Sequence, residues 1–123
     1  MAKILIAEDR ELMRRALKTA FAVRPKWEIC GEATDGREVV TKVSELQPDL
    51  VIMDFRMPLA DGIQAAREIF ATAPSIPIVI YPLYRNDELD AAAKQVGVRS
   101  VVSKQDGLFH LLEAIDAELP HAK

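Results

Sequence analysis

The sequence predicts a single α/β domain built on a doubly wound parallel sheet. Five short aliphatic runs alternate, along 123 residues, with five stretches whose apolar residues recur at helical spacing. The central run, Leu50 to Met53, is apolar at every position, which is the pattern of a strand buried on both faces beneath helices. Half of the residues (50%) are hydrophobic and 28% are charged, enough to bury one core and too few residues for a second domain.

Each element has its own local justification. Lys3 to Ala7 is the first strand, and it stops at Glu8-Asp9. From Leu12 the apolar residues Leu12, Met13, Ala16, Leu17, Ala20 and Phe21 make an amphipathic helix that ends near Arg24-Pro25. Trp27 and Ile29 alternate with Lys26 and Glu28, as in an edge strand with one wetter face. Thr34-Asp35-Gly36 turns the chain and caps a second helix, with Val39, Val40, Val43 and Leu46 inward. Pro48 ends that helix and releases the central strand, after which Pro58, Asp61 and Gly62 form a loop. The third helix runs from about Ile63 to Ala71, with Ala66, Ile69 and Phe70 inward. Pro77 opens the fourth strand, Ile78 to Tyr81, and Pro82 closes it. Asn86 caps a fourth helix, Asp87 and Glu88 sit in its positive first turn, and Gly97 ends it. Ser100 to Ser103 is the fifth strand. Asp106 is expected to cap the last helix, whose inner face is Leu108, Leu111, Leu112, Ile115 and Leu119 before Pro120 stops it. Residues 1–119 then form the domain, and 120–123 a tail or the start of a linker. Right-handed crossovers arrange these units as a flavodoxin-like (βα)5 sheet of strand order 2-1-3-4-5.

Composition narrows the function classes. A net charge of −3 and a pI of about 5.4 speak against nucleic-acid binding by this domain itself. Cys30 is the single cysteine, without a partner for a disulfide or a metal site, and reads as core. The apolar runs are too short to span a membrane, and Met1-Ala-Lys leads directly into a strand rather than a signal peptide, so a cytoplasmic location is expected.

In the order 2-1-3-4-5, strands 1 and 3 are neighbours at the switch point where open α/β folds hold their ligands. Glu8, Asp9 and Asp54 therefore converge on one crevice, and strand 5 brings Lys104 to the same edge. Singly, each residue has a plainer role: Asp54 as a turn cap, Glu8 and Asp9 as caps of the first helix, Lys104 as a solvated loop residue. Together they make a pocket of three carboxylates that repel one another unless a hard cation sits among them, and Mg²⁺ prefers oxygen ligands. Asp54 is then placed as a nucleophile toward a phosphoryl group, with the metal and Lys104 neutralising charge on the transferring oxygens.

The acidic pair Glu8-Asp9, the segment Met53-Asp54-Phe55-Arg56-Met57-Pro58 with Gly62 following, and Lys104 after strand 5 resemble, in type and spacing, the receiver domains of two-component response regulators. The resemblance covers essentially the whole chain. It implies that Asp54 is the phosphoacceptor, that Asp9, Asp54 and the backbone carbonyl of Arg56 bind Mg²⁺, that Glu8 holds the metal through water, and that Lys104 pairs with the phosphoryl group. It implies a sensor histidine kinase as phosphodonor and no catalysis beyond the domain's own phosphorylation and slow dephosphorylation. Dimerisation is expected through helix 4, strand 5 and helix 5, or through helices 1 and 5. The Ser103-Lys104-Gln105-Asp106-Gly107 segment further resembles the branch whose receivers precede a helix-turn-helix domain, so regulation of transcription would act through a DNA-binding domain separate from these residues.

The sequence departs from the family pattern at the end of strand 4, where receivers typically carry Thr or Ser. Here the residue is Pro82, and no Ser or Thr occurs between Ile76 and Arg99. Proline supplies neither hydroxyl nor N–H, and the lost hydrogen bond to a charged oxygen is worth on the order of 1.5–3 kcal/mol. Val101 stands where many receivers have a switching aromatic, and Gln105 where proline is frequent. Tyr84 is expected to fill or shield the resulting pocket. The rival reading is a pseudo-receiver of the same fold that acts by constitutive interaction. A haloacid dehalogenase-type phosphatase wants an acid two residues after the nucleophile, where Arg56 stands. A flavin carrier wants a Ser/Thr/Gly-rich phosphate loop, where Glu8-Asp9-Arg10-Glu11 stands.

Overall fold

The computed structural model describes residues 1–119. Five parallel strands, β1 (Ala2–Ala7), β2 (Trp27–Ala33), β3 (Leu50–Met53), β4 (Ile78–Ile80) and β5 (Ser100–Val101), form one sheet in the order β2-β1-β3-β4-β5. Helices α1 (Glu11–Phe21), α2 (Gly36–Leu46), α3 (Gly62–Thr72), α4 (Asp87–Val96) and α5 (Leu108–Glu118) connect and cover them. The expected fold class and strand order hold.

Strand alternation divides the core into two layers. Leu5, Ala7, Val51, Met53, Ile78 and Ile80 pack against α2, α3 and α4, through Val39, Val43, Ala66, Ile69 and Leu89. Ile4, Ile6, Leu50, Ile52, Val79 and Tyr81 pack against α1 and α5, through Leu17, Phe21, Leu111 and Ile115. β1 and β3 are apolar on both faces because helices cover both. β2 pairs only with β1, as expected of an edge strand, and its central residues are half exposed.

Local chemistry sets the helix ends. Asp35 accepts from the N–H groups of Arg37 and Glu38, and Asn86 accepts from Leu89, so both expected caps are made. Asp61, in the loop expected between Pro58 and Gly62, caps α3 by accepting from the Gln64 N–H. Gly97 closes α4 in the left-handed conformation.

Several expectations are corrected. Leu12 is 79% exposed; the buried stripe of α1 is Leu17 and Phe21, with Met13 and Ala20 partly covered. That helix ends at Phe21, because Arg24 N–H bonds back to the Phe21 carbonyl and a turn replaces its last predicted residues. β5 pairs only over Ser100–Val101, although the Val102 N–H still bonds the Ile80 carbonyl. β4 likewise ends at Ile80, with the Tyr81 N–H bonded to the Met53 carbonyl. Asp106 does not cap α5: it closes a short 3-10 turn, Lys104–Asp106, and Gly107 at φ 89° intervenes before the helix with no side-chain cap. The stop at Pro120 and the 120–123 tail lie outside the described residues.

Candidate functional site

The layer facing α1 and α5 explains how charges meet at the carboxyl edge of the sheet. Glu8 follows Ile4 and Ile6 at the two-residue period of β1, and Asp54 follows Leu50 and Ile52 in the same way on β3. Lys104 follows Val102, which packs in that same layer. The hydrophobic rows thus end in two carboxylates and an ammonium. Glu8, Asp54 and Lys104 side chains are only 2%, 6% and 4% exposed.

Lys104 Nζ donates to Glu8 Oε1 at 2.7 Å and lies 3.4 Å from Asp54 Oδ1. It also stands 5.9 Å from the centre of the buried Tyr81 ring. The Arg10 N–H donates to Glu8 Oε2 at 3.0 Å, and the Phe55 N–H donates to Asp54 Oδ1 at 2.8 Å. Burial pushes the Glu8 carboxyl above its ordinary range, while its bonds from Lys104 and Arg10 pull it back and nearby Asp54 adds to the rise. The plainer roles given for Glu8, Asp9 and Lys104 do not hold, whereas Asp54 does accept from the N–H that follows it. α1 begins after Arg10 with no side-chain cap from Glu8 or Asp9, and Lys104 is buried rather than solvated.

Glu8, Asp9 and Asp54 each offer a carboxylate oxygen, and these oxygens lie within 4.8 Å of one another. The set suits a hard divalent cation that keeps several waters, since Asp9 is exposed and opens the group to solvent. Arg56, the remaining expected site residue, has an exposed side chain at the mouth of the adjoining cleft. That cleft, about 580 Å³, runs from Asp9, Asp54 and Arg56 to Pro82, Tyr84 and Leu89. Tyr84 does not fill it: the side chain is 61% exposed at the rim and the cleft is open, contrary to the expected shielding.

Two glycines brace the loop that follows β3. A Cβ on Gly62 would lie 2.6 Å from the Asp54 carbonyl oxygen, so only glycine lets the first turn of α3 press against the end of β3, where its N–H bonds the Phe55 carbonyl at 2.7 Å. A Cβ on Gly36 would meet the Ala60 carbonyl at 2.0 Å, and the Gly36 N–H bonds the Pro58 carbonyl, so the start of α2 braces the same loop. Sequence reading singled out Gly62 but took Gly36 only as a turn; its contact with residue 60 is long-range and left no local signal. The sequence places Ser103 at the end of strand 5 and in the Ser103-Lys104-Gln105-Asp106-Gly107 segment, but carries no sign of its bond to residue 83. Ser103 is buried, and its hydroxyl donates to the Leu83 carbonyl at 2.8 Å.

No helix among the described residues is long and apolar enough to cross a membrane. The family model for the response regulator receiver domain matches residues 4–116. Chemotaxis protein CheY of Thermotoga maritima is 33% identical over 114 residues, covering 93% of this chain and 94% of that protein. Transcriptional regulatory protein LnrK of Bacillus subtilis is 28% identical over 115 residues, covering 94% of this chain; the chain spans about half of its length, 52%. Among solved structures, a LuxR-family two-component response regulator from Aurantimonas sp. SI85-9A1 superposes with a TM-score of 0.91 at 27% identity, over 95% of this chain and 84% of that one. With a matching family model over nearly its whole length and this fold, the chain belongs to the receiver domains of two-component response regulators.

Proposed function

We propose that this receiver is phosphorylated on Asp54 by a sensor histidine kinase in a Mg²⁺-dependent reaction and that its state controls an effector that regulates transcription. The observation that carries this is the burial of Asp54 at the end of β3, with Lys104 Nζ 3.4 Å away and two further carboxylates beside it. Receiver domains bind Mg²⁺ at an acidic pocket, and in this chain Asp9, Asp54 and the Arg56 carbonyl would hold it, with Glu8 acting through water. Bound there, the cation would supply charge neutralisation on the phosphoryl oxygens.

The chain's own groups do the rest. A carboxylate oxygen of Asp54 attacks phosphorus; the P–N bond of the phosphohistidine breaks as the P–O bond of the acyl phosphate forms, and the electron pair returns to the imidazole nitrogen. The N–H of Phe55 orients the carboxylate through its bond to Oδ1. Lys104 is within reach of the charge gained at Asp54, its ammonium standing 3.4 Å from Asp54 Oδ1. The likeness to a LuxR-family regulator and to LnrK supports transcription as the output, through a helix-turn-helix domain separate from these residues.

The test is intact mass after incubation with a small phosphodonor and Mg²⁺. A gain of one phosphoryl group that requires both the metal and Asp54, and is absent from Asp54→Asn, supports the reading. One observation favours a second reading: Pro82 lines the cleft without a hydroxyl, as expected of a pseudo-receiver that works by constitutive interaction. Absence of both the mass gain and Mg²⁺ binding would favour it.

A further inference from the structure

We propose that Ser103 is the positioning residue that couples the loop between β4 and α4 to the state of Asp54; this rests on the reading of Asp54 as the phosphoacceptor. Pro82 begins that loop, and with neither hydroxyl nor N–H it has no donor to offer a phosphoryl group. The loop is nevertheless tied to the site by two consecutive carbonyls. The Lys104 N–H donates to the Pro82 carbonyl at 2.7 Å, and the Ser103 hydroxyl donates to the Leu83 carbonyl at 2.8 Å.

Residues 103 and 104 therefore form a bridge with two ends. At one end the Lys104 side chain reaches Glu8 at 2.7 Å and Asp54 at 3.4 Å. At the other, Ser103 holds Leu83 while accepting from the Gln105 N–H at 3.1 Å, so its hydroxyl acts as both donor and acceptor and is fixed in direction. Ser103 is 5% exposed, which shields both bonds from competition by water.

What the bridge holds is well placed to carry a signal. Leu83 and Tyr84 are exposed apolar side chains, and Asn86, three residues after Leu83, caps α4 through the Leu89 N–H at 2.7 Å. A phosphoryl group on Asp54 adds charge beside Lys104 and draws its ammonium toward the new oxygens. A displacement of the 103–105 turn then pulls on the Leu83 carbonyl and through it on the exposed pair and the first turn of α4. The Pro82 carbonyl bond alone joins the loop at a residue of fixed φ, whereas the Ser103 bond acts one residue further along, where the backbone can turn.

The experiment is amide NMR of the full chain with Mg²⁺ and beryllofluoride as the phosphoryl stand-in, reading Phe55 and Arg56 for the site and Leu83 to Leu89 for the loop. Ser103→Val and Ser103→Thr differ by the hydroxyl at nearly constant shape, and Ser103→Ala serves should the branched side chains disturb the turn. In the wild type and Ser103→Thr both sets of resonances shift together. In Ser103→Val and Ser103→Ala the site set shifts with unchanged stoichiometry, while the loop set no longer responds. A loop response that survives in Ser103→Val and Ser103→Ala, even with a lowered Tm, would make Ser103 merely structural and overturn the proposal; so would its loss in a folded Ser103→Thr. No site response in the wild type would instead remove the phosphoacceptor reading, and the coupling with it.

Discussion

Replacing Lys104 by Met removes one positive charge while keeping the length and apolar stem of the side chain, so it isolates the electrostatics of the site. In the wild type the ammonium sits 2.7 Å from Glu8 and 3.4 Å from Asp54, with all three side chains 6% exposed or less. Without it two buried carboxylates face one another with no compensating cation. Removing one partner of a buried pair costs about 3–5 kcal/mol, because the charge left behind is desolvated and unpaired. Asp9 and the open cleft give water a path to these oxygens, which places the expected loss at the lower end, about 3 kcal/mol of a total of roughly 5–15 kcal/mol for a domain of this kind. Urea unfolding followed by the single tryptophan reads it directly. Trp27 is buried edge-on against Phe21, with ring centroids 5.4 Å apart, far enough from the substitution to report global unfolding. Mg²⁺ should then stabilise Lys104→Met more than the wild type, since a cation among the carboxylates replaces the missing charge. A variant as stable as the wild type, and indifferent to Mg²⁺, would refute the claim that Lys104 is what holds the acids together.

Other perturbations test neighbouring parts of the structure. Gly62→Ala drives a Cβ to 2.6 Å from the Asp54 carbonyl, so α3 and the end of β3 must part; urea unfolding should show a loss of about 2 kcal/mol, and phosphoryl uptake measured by mass should slow. Pro82→Thr supplies a donor beside Asp54, and titration with beryllofluoride and Mg²⁺ should show tighter binding by about tenfold, the worth of a hydrogen bond of about 1.5 kcal/mol to a charged oxygen. Asn86→Ala removes the cap on Leu89 and should cost about 1 kcal/mol in thermal unfolding. Lys18 holds the Glu32 carboxyl below its ordinary value of 4.5 through a hydrogen bond. Glu32 therefore contributes stability above its unfolded pKa that is lost as pH falls through the lower folded value, and Glu32→Gln should flatten that part of the acid limb of the stability curve, by less than about 1 kcal/mol for a pair so open to solvent.

The strands were legible because they depend on short-range pattern, and the charged centre followed from the strand order that pattern implies. Period-two rows ending in Glu8 and Asp54 state both which strands are buried and where the charges emerge. Phase was harder. Leu12 satisfies helical spacing with Ala16, yet lies roughly 140° around the helix from Leu17, and the stripe Met13, Leu17, Phe21 turns it to solvent. Asp106 looks like a helix cap in isolation, but the 3-10 bond from its own N–H to the Ser103 carbonyl commits it to the turn before the helix begins. Tyr84 is large enough to fill the cleft beside Pro82, but its place in the exposed loop carries it to the rim instead. Gly36 and Ser103 act on residues 60 and 83, through contacts that no local window contains.

The placement of these residues separates two properties that a single substitution is often assumed to change together. Glu8, Asp54 and Lys104 follow strands whose registers are fixed by pairing on β1, β3 and β4, and the Asp54 N–H itself bonds the Ala7 carbonyl, tying the two acid-bearing strand ends. None of these contacts involves the side chain of Pro82. A missing hydroxyl at position 82 therefore leaves the Glu8–Lys104–Asp54 arrangement in place while removing one donor from the cleft beside Asp54. Transmission must then rest on bonds the loop still makes, and its main-chain carbonyls at Pro82 and Leu83 are held by the two residues whose segment also carries the ammonium of the site. On the proposed reading, a phosphorylated Asp54 with a silent α4 and one with a responsive α4 would be distinguishable states of the same chemistry, and the Ser103 variants are what would tell them apart.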